Sequence, residues 1–151
     1  MDYTDLDISE IIQKLDTLKA ESKPLWGEMS AQRMVEHLTD TIKIASGKVK
    51  FPLVVPEDKI EKMKSFLDSD KPMARNIEVS FAKKSEDLRN EEIELAIDEF
   101  LLEWIDFEEH YSEDPNRTEL HPYYGQLNYE QWCKLNAKHL KHHFEQFGID
   151  A

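Results

Sequence analysis

The sequence predicts an all-α protein: a four-helix bundle with one short extra helix and long connecting loops. Three observations carry that expectation. Apolar residues recur at three- and four-residue steps along most of the chain, the period of a half-buried helix. Only four glycines and six prolines punctuate 151 residues, so tight turns are few. Two long polar stretches, "SDKPMARNIEVSFAKKSED" and "SEDPNRTELHPYYGQLN", separate the later periodic segments. At this length one domain over 1–151 with a sizeable core is expected.

The first helix is read from Ile8, Ile11, Ile12, Leu15 and Leu18, which share one face. Pro24 and Gly27 in "ESKPLWGEMS" break the pattern. Ser30 then offers an N-cap for a second helix carrying Met34, Val35, Leu38, Ile42 and Ala45, and Gly47 ends it. "FPLVVP" is apolar and bounded by prolines, which suits an extended packed connector better than a strand. Ile60, Met63, Phe66 and Leu67 mark the short extra helix. The next stripe is the clearest: Ile93, Ile97, Phe100, Leu101, Trp104, Phe107 and Tyr111. The polar stretch before it leaves room for a short extended piece. Asn128 and Gln131 have the spacing of a capping box that opens the last helix. Loops this long in a compact domain tend to be functional or to cover a site.

The chain carries 19 basic and 32 acidic side chains, a net charge of −13. Phosphate contacts need clustered Lys and Arg, so nucleic acid is not an expected partner. The acids are spread over helix surfaces, as on a solvated, self-repelling exterior. The opening "MDYTDLDISE" is acidic where a signal peptide is basic and apolar. No stretch reaches the roughly 18 apolar residues of a membrane span. A cytoplasmic location is the expectation, and the single cysteine, Cys133, suits a reducing compartment. Cys133 falls on the apolar side of the last helix, where a thiol is inert packing. No Gly-rich phosphate loop and no Ser-His-Asp or Cys-His arrangement is visible.

The chemistry-bearing feature is "KHLKHHFEQFG" at 138–148, which holds three of the six histidines. Each helical residue turns about 100°, so His139 and His143 lie about 40° apart on one face. Tyr129, Trp132, Cys133, Leu140, Phe144 and Phe147 define the buried stripe, and His143 falls inside it with His139 at its edge. His142 points away by more than about 90°, toward solvent or the rim. Two inward imidazoles at this spacing suit a divalent transition metal. The third ligand expected is His37 in "QRMVEHLTDTIKIAS", along the edge of the second helix's apolar face. Three neutral histidines leave the ion its full charge and at least one open position, as catalytic sites do.

Four segments together resemble the DinB-like superfamily, and within it a bacterial subgroup: "PLWGEMSAQRMVEHLTD" at 24–40, "KPMARN" at 71–76, "HPYYGQLNYEQW" at 121–132 and "KHLKHHFEQFG" at 138–148. The resemblance implies an up-down-down-up bundle, often dimeric. It implies a zinc or nickel ion held by one histidine of the second helix and two of the last, here His37, His139 and His143. It also implies transfer or isomerisation of thiol-bearing cofactors, or metal-dependent hydrolysis, on a small-molecule substrate. The alternative is a non-enzymatic helical binding or stress-related module whose metal site is structural or empty.

The pattern leaves the general base open. Glu36 and Asp40 neighbour His37 but face elsewhere by helix count, and Glu145 follows the last histidine. Gln146 lies about 20° from His139 and is a candidate for the pocket rim. His121, in the loop before the last helix, is a candidate rim contact or proton shuttle. Trp26 and Trp132 read first as core packing, with Trp26 also a candidate for the rim.

Overall fold

Helix boundaries follow from local chemistry that the chain supplies at each end. The computed structural model describes residues 1–75 and 87–149. Helix α1 (Ile8–Leu15) opens with the Asp7 carboxylate accepting from the Ser9 N–H. It ends three residues short of Leu18, where the Thr17 hydroxyl donates to the Lys14 carbonyl and turns the chain. Leu18 still reaches the core beside Ile11 and Leu15.

Helix α2 (Ala31–Ala45) is capped by Ser30, whose hydroxyl accepts from the Arg33 N–H at 3.1 Å. Gly47 ends it at φ +75°, a left-handed conformation that suits glycine. Residues 51–56 form neither helix nor strand, and the Val54 N–H donates to the Pro122 carbonyl. The short extra helix is smaller than its stripe suggests. Only Ile60–Ser65 (α3) is α-helical, with single 3₁₀ turns at Glu57–Lys59 and Phe66–Asp68 on either side. The polar stretch that leaves room for a short extended piece lies largely outside the described residues.

Helix α4 (Ile93–Ser112) buries Ile93, Ala96, Ile97, Phe100, Trp104, Phe107 and Tyr111. It packs extensively on α2, and the Tyr111 hydroxyl donates to the Ala45 carbonyl at 2.7 Å. Between α4 and the last helix the structure contains a hairpin that the hydrophobic pattern did not reveal. Strands β1 (Glu119–His121) and β2 (Gly125–Leu127) pair antiparallel, with His121 opposite Gly125. Gly125 adopts φ +75°, the conformation a three-residue hairpin loop needs at its end.

Helix α5 (Tyr129–Gln146) opens on the expected capping box. The Asn128 side chain accepts from the Gln131 N–H, and the Gln131 side chain accepts from the Asn128 N–H. The described molecule is therefore mainly helical, with α1, α2, α4 and α5 meeting in one core. Among the described residues no helix is long and apolar enough to cross a membrane.

Candidate metal centre

Helices α2 and α5 meet antiparallel. The Leu25 N–H, in the segment before α2, donates to the Gln146 carbonyl at the end of α5, and Thr41 meets His139 about two turns earlier in α5. This register brings His37 level with the last two turns of α5. His37 is 9% exposed and His143 6%, with His139 half-buried between them.

The three rings converge through the same atom. His139 Nε2 lies 3.0 Å from His37 Nε2 and 3.0 Å from His143 Nε2. The ring planes cross at 84°, 81° and 74°, so no two of the rings stack face to face. Among the described residues these three form a group whose ligand atoms all lie within 4.8 Å of one another.

Protonation decides what that convergence means. Burial is the first cause that pushes His37 down to about 3, and the positive charges of His143 and Arg33 add to it. Burial likewise drives His143 down to about 4 and His139 well below the ordinary histidine value. At neutral pH all three imidazoles are neutral, each with one N–H and one lone pair. The Gln146 amide donates to the Trp26 carbonyl at 3.1 Å, which turns its oxygen toward His143 Nδ1 at 2.7 Å. Nδ1 of His143 therefore carries the hydrogen, and Nε2 is a bare lone pair. The Thr41 hydroxyl donates to the Leu38 carbonyl and so can only accept from His139 Nδ1, at a long 3.4 Å.

A bare Nε2 on His143 needs a donor or a cation, and His139, with its hydrogen on Nδ1 toward Thr41, presents it with a second bare Nε2. No arrangement of protons on three neutral rings satisfies both 3.0 Å contacts. A cation at the common point satisfies all three nitrogens at once. Metal–nitrogen bonds of about 2.0–2.1 Å in a tetrahedral site put ligand nitrogens about 3.3 Å apart, a few tenths of an ångström from the two 3.0 Å spacings on His139, and the third pair lies within 4.8 Å. The donor set therefore fits a divalent transition metal.

The remaining histidines are engaged elsewhere. His142 is half-buried beside the triad, with its ring 4.9 Å from His143 and 5.8 Å from Trp26. His110 meets Glu119 through Nε2 and Arg117 through Nδ1, against the hairpin. His121, expected at the rim, is buried at the end of β1 against Trp132 and Tyr124. Its Nδ1 accepts from the Tyr123 N–H, and burial holds it down to about 3, so it is neutral at ordinary pH. Gln146 is also buried rather than at the rim, behind His143. Trp26 is half-buried, and the Arg75 guanidinium lies over its ring at 3.7 Å. Glu36 and Asp40 engage Gln32, Arg89 and Asn90 rather than the triad. Burial pushes the Cys133 thiol up to about 11, so it offers no thiolate.

No family model matches the chain, and comparison with curated proteins and with solved structures found no match. The functional reading rests on the residues themselves. Thr41 and Gln146 as partners of the ligand rings were not read from the sequence. The Gln at i+3 from His143 was the available signal.

Proposed function

We propose that this chain is a metal-dependent enzyme of the DinB-like kind, a four-helix bundle whose His37, His139 and His143 hold a zinc or nickel ion. The observation that carries this reading is the meeting of three Nε2 atoms that no set of protons can satisfy. Structural zinc sites close with four protein ligands, and three leave a position for substrate. Bound here, the ion supplies Lewis acidity, which activates water for hydrolysis or holds a substrate thiol as its nucleophilic thiolate.

The chain's own residues prepare that position. Gln146 fixes the tautomer and ring plane of His143, and Thr41 does the same for His139. The core residues Leu38, Phe100 and Leu140 line the same pocket as Thr41 and His139. The reaction class is hydrolysis or thiol transfer to a small electrophile.

The test is element-resolved metal analysis of freshly purified protein, followed by zinc and nickel titration. Wild-type protein should bind one ion per chain. His37→Ala and His143→Ala should each reduce stoichiometric binding to background, while His142→Ala should retain it. Equal losses from all three variants, or no binding by wild type, would overturn the reading.

A further inference from the structure

Arg33 lies one helical turn before His37 on α2, and its side chain is only 3% exposed. Its guanidinium reaches along the helix. Nη2 comes within 3.8 Å of the Asp40 carboxylate, seven residues on. His37 lies between those positions in sequence, about 40° around the helix axis from Arg33 and about 60° from Asp40. The buried cation therefore runs alongside the turn that carries the metal ligand.

Its charge is poorly answered there. At 3.8 Å the Asp40 contact is an ion pair without a hydrogen bond. The other oxygen of Asp40 accepts from Arg89 at 2.8 Å. Glu36, the fully buried acid of α2, accepts from Gln32, the Arg89 N–H, and the backbone and side chain of Asn90. Arg33 Nη1 is left buried with no hydrogen-bond partner. Orphaned interior donors are rare, and a charged one is the costliest kind.

The triad has a matching deficit. Its ligands are neutral, and behind them stand an amide and a hydroxyl, Gln146 and Thr41, where many metal sites use a carboxylate. Asp40 answers part of the Arg33 charge, but among the described residues no carboxylate joins the three ligand atoms, so a divalent ion there calls for further negative charge.

We propose that the site takes an anionic substrate, one whose carboxylate or phosphate oxygen accepts from Arg33 Nη1 while another of its atoms fills the open position on the ion. The planar donors of Arg33 suit an oxyanion in a way a lysine ammonium does not. This rests on the metal reading of the triad and adds the charge class of the substrate. Arg33 becomes the residue that anchors and orients it.

The experiment uses full-length protein loaded with cobalt(II), whose visible absorption bands report ligands arriving at the ion. It is titrated with acetate, with inorganic phosphate and with uncharged imidazole. In Arg33→Gln the affinity for the preferred anion should fall tenfold or more, with Arg33→Lys intermediate and imidazole binding unchanged. The anion bound more tightly identifies the group. A second readout needs no variant: the Arg33 Nε–H resonance of zinc-loaded wild type should move on adding that anion and stay fixed in metal-free protein. Equal anion affinity in cobalt-loaded wild type and Arg33→Gln overturns the proposal. If Arg33→Gln does not fold, an Arg33 resonance indifferent to both anions overturns it alone. Protein that takes up no cobalt overturns the metal reading instead.

Discussion

Gln146 carries two tasks with one amide: its oxygen accepts from His143 and its nitrogen donates to the Trp26 carbonyl. Removing it leaves the His143 ring free to rotate and to change tautomer. Gln146→Ala should weaken zinc binding about 10- to 100-fold, the usual cost of losing an outer-shell partner, measured by chelator competition. Gln146→Glu keeps the acceptor for His143 but loses the donor to the Trp26 carbonyl, so it should bind more tightly than Gln146→Ala. The meeting of the three histidines was legible in the sequence because an i, i+4 pair and one histidine on a second stripe are geometric statements. The partner role of Gln146 was not. Helix count aligns it with His139, but side chains lean toward a helix's N-terminus, and this one reaches back three residues to His143. The isolation of Arg33 was also illegible, since it depends on where Arg89 and Asn90 return from a distant loop.

Among the elements, α2 and α5 were readable because each pairs an apolar stripe with terminal signals such as Ser30, Gly47 and the Asn128–Gln131 box, and α4 because its stripe is long and regular without a side-chain cap. The β1–β2 hairpin was not. Three-residue strands are too short for alternation to stand out, and the turn residues "PYY" carry no Asn-Gly or Asp-Gly signature. Its one local signal was Gly125. A Cβ there would meet Ile60 Cγ2 at 3.1 Å while the backbone holds φ +75°. Gly125→Ala should destabilise the protein by about 1–3 kcal/mol, read as a lower urea midpoint at unchanged slope. A neutral outcome would mean that the hairpin and α3 move apart without cost. Asn128→Ala, which removes only the cap, should cost about 1 kcal/mol.

Over the whole molecule, several buried imidazoles set the response to acid. The folded values of His37 and His121 are held at about 3 and that of His143 at about 4, all below the ordinary histidine value. As pH falls below about 6.5 the unfolded chain takes up protons that the folded chain refuses, so stability declines. The loss continues until the folded sites protonate near pH 4 to 3. Glu36, held below the usual carboxylate range although burial opposes it, adds a second loss only under about pH 4.5. Metal-free protein should therefore show a thermal midpoint that is level above pH 7.5 and already falling between pH 6.5 and 5. A midpoint flat to pH 5 would contradict neutral burial of these rings. The register of α2 on α5 has one more effect. His37 and His139 stand 102 positions apart in the chain. An ion gripped by both is a cross-link that closes a loop over most of the polypeptide. Parting the two helices then requires ejecting the ion, and its residence time becomes the clock for unfolding.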